Sequence, residues 1–145
     1  MEHWEGVAAL CVNPRGEKLL MVLQGKPGQP PCWTLPGGLL REKESPEQAV
    51  VREVREETGL VTTIKRLFRK QQDKTEDFRR QVYPFTSHYF QLETTSETLR
   101  PQDPDQQTYR AEWISKEQFE VLGLLYEYQR DVIQAFWSEV DERAT

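Results

Sequence analysis

Residues 38–60 read GLLREKESPEQAVVREVREETGL, and the pattern is loop, helix, turn. Ser45 suits an N-cap, Pro46 the first helical position, and Gln48 the reciprocal partner of a capping box. Gly59 suits the left-handed position just past a helix end. Between these signals Glu53, Glu56 and Glu57 fall at i, i+3 and i+4, so they share one arc of the helix. Val50, Val51 and Val54 occupy the adjoining arc, which should face a core.

Three carboxylates on one arc repel one another, and Arg52 and Arg55 offset only part of that charge. Ordinary surface helices alternate their charges instead. Two readings follow. One is a solvated acidic face. The other is a set of hard oxygen donors for a divalent cation, with Mg²⁺ or Mn²⁺ suited to carboxylates plus water.

Outward from this stretch, 145 residues with 37% hydrophobic and 30% charged side chains fit one globular domain over residues 1–145, not a disordered chain. No apolar run is long enough to span a bilayer, and no signal-peptide pattern opens the chain, so a cytoplasmic location is expected. A net charge of −5 gives no reason to expect general nucleic-acid binding. Cys11 sits in an apolar strand pattern and Cys32 in a Pro-rich loop, without zinc or redox spacing, and no disulfide is expected.

Residues 7–12 and 18–24 read as strands joined at Asn13-Pro14-Arg15-Gly16, hence a hairpin. Residues 25–32 form a Pro/Gly loop. Trp33 is either a packed core aromatic or a ligand contact. Residues 61–70 read as a strand with room for a bend, 73–78 as a polar turn, and 80–93 as a long strand. In that strand His88 alternates with Phe90 and Leu92, as a hydrogen-bonded wall residue would. Residues 64–81 are locally basic. They are either a solvated strand surface or cations that meet a substrate's phosphates, with Arg66, Arg79 and Arg80 the candidates, since Arg offers a bidentate fork. Residues 94–110 carry Pro101 and Pro104 without periodicity and read as a functional loop. Ser115 caps a short helix over 116–122. From Leu124 onward Leu125, Tyr128, Val132, Phe136 and Val140 have helical spacing. The order of elements predicts an α/β domain with a mixed sheet covered by helices.

The helix stretch belongs to a longer pattern. Gly38, Glu44, Arg52-Glu53, Glu56-Glu57 and Gly59 stand at set spacings over 23 positions, preceded by Trp33-Thr34-Leu35-Pro36-Gly37. This resembles the box of the Nudix (MutT-like) hydrolases, without a departure. The resemblance implies an α/β/α sandwich with a mixed β-sheet, and metal-dependent hydrolysis of a nucleoside diphosphate linked to another moiety. It implies metal held by Glu53, Glu56 and Glu57 with help from a glycine carbonyl, here Gly37. Arg52 would orient Glu53, and Glu44 would position the loop or a water. The proton acceptor would be a box glutamate or an acid outside it, such as Asp103, Asp105 or Glu112. Gln106 and Gln107 stand where relatives often place acids, which favours Glu56. Expected substrate contacts are Arg66, Arg79, Arg80 and Trp33, and the expected partner is a small nucleotide. The oligomeric state stays open, a homodimer included. The rival reading is a catalytically silent domain that senses a nucleotide. The complete glutamate set argues against it.

Overall fold

The computed structural model describes residues 4–25, 28–76, 79–101 and 108–144. Its strands are β1 (Trp4–Cys11), β2 (Lys18–Gln24), β3 (Cys32–Thr34), β4 (Gly37–Leu39), β5 (Thr63–Glu76), β6 (Val82–Glu93) and β7 (Thr108–Ser115). Its helices are α1 (Pro46–Thr58), α2 (Lys116–Glu120) and α3 (Gln129–Ala144). One sheet has the order β4-β1-β6-β5 and the other β3-β2-β7. The first sheet is mixed, since β1 runs parallel to β6 and antiparallel to β4.

β1 is buried on both faces, and its period-2 alternation sorts the core into two halves. Val7, Ala9 and Cys11 join Phe90 and Leu92 beneath Ala49, Val50 and Val54 of α1. Ala8 and Leu10 join Tyr89, Met21 and Ile114 beneath Val132, Ile133, Phe136 and Trp137 of α3. The two helices therefore cover opposite faces, which is the expected α/β/α layering. Cys11 is a free thiol in this core, and burial pushes its pKa up to about 12. Cys32 is also free.

Several elements differ from the sequence reading. β1 and β2 do not form a hairpin ladder; they lie in different sheets, and their backbones are joined at a Val12–Leu19 bridge and by Asn13 N donating to Lys18 O. Asn13 Oδ1 accepts from the amides of Glu17 and Lys18 at 2.8 and 3.0 Å, which tightens a corner between the sheets. β5 runs on through the expected turn to Glu76, with irregular register near Ile64 and Leu67 where a bend was expected. Cross-strand hydrogen bonds hold this polar stretch extended, among them Gln72 Nε2 to Thr86 Oγ1 at 3.0 Å. α3 begins only at Gln129, so Leu124, Leu125 and Tyr128 are outside it. That segment is drawn against β3 instead: Trp33 N donates to Gly123 O and Leu125 N to Trp33 O. α2 likewise ends at Glu120, sooner than the spacing suggested.

α1 forms as its sequence signals require. Ser45 and Gln48 make the reciprocal capping box, and Gly59 closes the helix at φ 82°. At that end Arg100 N donates to Thr58 O at 2.7 Å, pinning the segment after β6 to the helix terminus. A Cβ on Gly59 would lie 2.3 Å from Arg100 O. Gly59→Ala therefore meets both a left-handed backbone, costing about 1–2 kcal/mol, and a backbone clash. Urea denaturation should show a loss of at least that size, with the m-value unchanged.

Candidate active site

The polar arc of α1 opens onto a cleft of about 750 Å³ between the helix, β4, the β1–β6 pair and the segment before α3. Arg52 is the hub of its charged end. Its Nε and Nη2 donate to the two oxygens of Glu44 at 2.6 and 2.9 Å, a fork-to-carboxylate pairing. Its Nη1 donates to Glu53 Oε1 at 3.0 Å and to Glu56 Oε2 at 3.2 Å. Arg41 adds a second cation, with Nη2 3.3 Å from Glu56 Oε1. The Arg41 amide also donates to Glu44 Oε1 at 2.9 Å, so the loop before α1 is tied to the same carboxylate.

Glu57 is buried at 4% exposure and lines the same cleft, held by other partners. Its Oε2 accepts from Gly37 N at 2.9 Å and its Oε1 from Gln24 Nε2 at 2.8 Å. Toward the glutamates, Gly37 thus presents its amide. β4 passes so close to α1 that a Cβ on Gly38 would lie 2.7 Å from Glu53 Oε1. Burial raises the Glu53 carboxyl above the usual carboxylate range, against the opposing pull of Arg52. Glu44 is held down to about 2, chiefly by its hydrogen bonds from Arg52.

The rest of the cleft is aromatic. Tyr83, Phe85, Ser87 and Tyr89 alternate along one face of β6, opposite the face of His88 and Phe90, and line it with Trp4, Tyr126 and Tyr128. His88 is a buried wall residue whose Nε2 lies 3.0 Å from Glu5 Oε1. The aromatic lining was not singled out by sequence reasoning, although the period-2 run of Tyr83, Phe85 and Tyr89 carried the signal. Gln24 and Arg41 were also missed; Gln24 stands in no motif, and Arg41 falls at a position of the box whose identity the pattern leaves open.

The structure brings Glu44, Arg52, Glu53, Glu56, Glu57 and Gly37 together. It does not bring the other expected residues into the cleft lining. Trp33 packs against the core beneath α3. Arg66 donates to Gln91 at 2.9 Å and to Glu139 on α3 at 2.6 Å. Arg79 and Arg80 precede β6, whose Tyr83 and Phe85 reach the cleft. Glu112 pairs with Arg110 on β7. Asp103, Asp105, Gln106 and Gln107 lie outside the described residues.

Among the described residues no three His, Cys, Asp or Glu side chains are gathered as a ready-made metal group. The box glutamates spend their oxygens on Arg52, Arg41, Gln24 and Gly37 N. Their chemistry nonetheless suits a hard cation. The donors are all oxygen, they share one helix arc, and Glu53 and Glu57 are carboxylates withdrawn from water beside an open cleft.

A NUDIX domain family model matches residues 2–136. The chain is 38% identical over 61 residues to the ADP-ribose pyrophosphatase of Methanocaldococcus jannaschii, a match covering 42% of this chain and 36% of that protein. The fold resembles the MutT protein from Methanosarcina mazei Go1 with a TM-score of 0.74 at 23% identity, covering 94% of both chains. It also resembles the NUDIX domain of Shewanella oneidensis NrtR, solved with ADP ribose, with a TM-score of 0.77 at 19% identity, covering 100% of this chain and 90% of that one.

The Glu44–Arg52 pair makes a pH-dependent contribution to stability. The folded-state pKa of Glu44 lies below its ordinary value of 4.5, so the contribution is present above about 4.5 and is lost as pH falls toward about 2. Glu44→Gln should lower the urea midpoint at pH 7, and the gap from wild type should close across that acidic window.

Proposed function

The chain belongs to the NUDIX domain family, and we propose that it is a divalent-metal-dependent pyrophosphohydrolase formed by a single such domain over residues 1–145. Its substrate is a nucleoside diphosphate linked to another moiety, such as a nucleoside triphosphate or a nucleotide sugar. Water attacks phosphorus, the phosphoanhydride P–O bond breaks, and each product leaves with a phosphate end. The observation that carries this reading is the union of two surfaces in one cleft: the Arg52-centred glutamates at one part and half-exposed aromatic rings at another. A phosphate chain and a nucleobase need those two environments.

Glu53, Glu56 and Glu57 would hold the cation, Mg²⁺ or Mn²⁺, which when bound neutralises phosphate charge and acidifies the attacking water. Arg52 holds Glu53 and Glu56 in register by charge-assisted hydrogen bonds. Glu44 holds Arg52 in turn and anchors the loop before the helix. Glu56 accepts the water's proton: it lines the cleft and is the more exposed of the two carboxylates on Arg52 Nη1, with its side chain at 26%. Gly37 N and Gln24 keep Glu57 aimed despite its burial. Charge neutralisation and positioning do most of the work in such a reaction. A silent nucleotide sensor is the weaker reading, because it would have no use for every carboxylate of the box.

Glu56→Gln and Glu57→Gln keep side-chain size and remove a charge. Each should lower kcat by about a hundredfold or more in a nucleotide-panel turnover assay. Mg²⁺ or Mn²⁺ should raise the wild-type Tm by mass action, and the variants should respond less. Wild-type turnover and metal response in both variants would return the cluster to a solvated acidic face.

Arg79 and Arg80, next to the strand that carries Tyr83 and Phe85, are proposed to meet substrate phosphates. Changing both to Ala should raise KM more than it lowers kcat in steady-state kinetics, as for lost ground-state binding.

A further inference from the structure

The aromatic part of the cleft has a polar edge that hydrolysis does not use. The β5–β6 register sets Asp73 opposite Phe85 and Gln71 opposite Ser87, so Asp73 stands on the sheet face that carries Tyr83, Phe85, Ser87 and Tyr89. Asp73 is partly exposed, whereas Ser87 and Tyr89 are buried. Gln71 Nε2 donates to Asp73 Oδ1 at 2.9 Å. Ser87 Oγ donates to Oδ2 at 2.9 Å, and the Tyr89 hydroxyl reaches the same oxygen at a long 3.4 Å. Three side chains therefore fix one carboxylate in place beside a cleft lined by half-exposed rings.

A carboxylate offers about four acceptor positions, and these donors leave part of that capacity for a ligand. Burial, reinforced by the Asp73 charge, drives the Tyr89 phenol far above its usual range, so it keeps the proton that it offers to Asp73. Tyr128 is raised as well, first by burial and then by the charges of Tyr126 and Asp73. Tyr126 and Tyr128 lie stacked, with centroids 5.6 Å apart. The slot thus has flat apolar surfaces for a ring, and two of its lining residues, Ser87 and Tyr89, bond directly to the Asp73 carboxylate.

We propose that Asp73 is a specificity-determining residue, which selects ligands whose heteroaromatic ring carries an exocyclic amino group. The amino group donates to the carboxylate while the ring lies against the aromatic side chains. Ser87, Tyr89 and Gln71 are positioning residues that hold the acceptor. A ring with a carbonyl at that edge would set oxygen against carboxylate, and a ring with only hydrogen there would gain no bond.

The inference rests on the cleft being a nucleotide site, but its test needs no turnover. Binding is measured by titration calorimetry in EDTA for two pairs that differ by one amino group: adenosine against purine riboside 5′-monophosphate, and guanosine against inosine 5′-monophosphate. In at least one pair the amino-bearing member should bind about tenfold more tightly, the size expected for one charge-assisted hydrogen bond. Asp73→Asn should bring that ratio toward one. Ser87→Ala should reduce it partway, with Tm reporting that each variant is folded. Equal binding within both pairs, absence of binding by all four nucleotides, or a ratio that survives in a folded Asp73→Asn protein would overturn the inference. If Asp73→Asn fails to fold, an unchanged ratio in Ser87→Ala does the same. Discrimination in a protein that hydrolyses no nucleotide would support the base slot and count against the hydrolase reading. Turnover without discrimination would do the reverse.

Discussion

One guanidinium holds the charged end of this protein together. Arg52 is 18% exposed and bonds to Glu44, Glu53 and Glu56 at once. Three carboxylates this close would repel one another, and their removal from water adds a desolvation cost. A flexible ammonium could not face all three; the planar fork of an arginine can. Its pKa is raised by these partners, chiefly Glu44, so the hub stays charged under any condition in which the protein folds. Breaking a pair of this kind typically costs about 3–5 kcal/mol, because the remaining charge is stranded.

That hub also shapes the backbone around it. Glu44 takes the Arg41 amide as well as the Arg52 fork, and Arg52 Nη2 reaches Leu39 O at 3.4 Å. The loop from β4 to α1 is therefore wrapped around the guanidinium. β4 must then run hard against the helix and against β1. A Cβ on Gly37 would fall 2.0 Å from Val7 O, so only glycine admits this approach. The consequence reaches Glu57, whose burial is tolerated because Gly37 N and Gln24 supply hydrogen bonds in place of water. The glutamate arc and β4 are thus positioned by a single network, whereas the aromatic face of β6 is positioned by the β1–β6–β5 ladders.

The local features of α1 were legible because they depend on near neighbours. The Ser45–Gln48 box, the Gly59 terminus, and the burial of Val50 and Val54 all follow from residues within a turn or two of one another. The grouping of Glu53, Glu56 and Glu57 followed from helical period alone. Strand partners were less legible. A short turn after β1 looked like a hairpin, yet the chain crosses to a second sheet at Asn13. The helical spacing of Leu125 and Tyr128 with Val132 looked like one long helix, yet pairing of Gly123 and Leu125 with Trp33 draws the first part away. Arg66 looked like a phosphate ligand because its neighbours are basic, and Glu139, 73 residues later, instead holds it.

What the sequence determined by itself is the helix, its caps, its acidic arc, and the family whose box these residues compose. Each is written in spacings of eight residues or fewer, or in identities read directly. What only the tertiary structure decided is which side chains meet across the fold. Gln24 on Glu57, Arg41 on Glu56, Asp73 among Ser87, Tyr89 and Gln71, and the aromatic face of β6 turned toward Tyr126 and Tyr128 are mostly contacts between elements far apart in the chain. Periodicity states which face of a strand is apolar. It does not state what that face will lie against, because partner and register are chosen by the packing of the whole core.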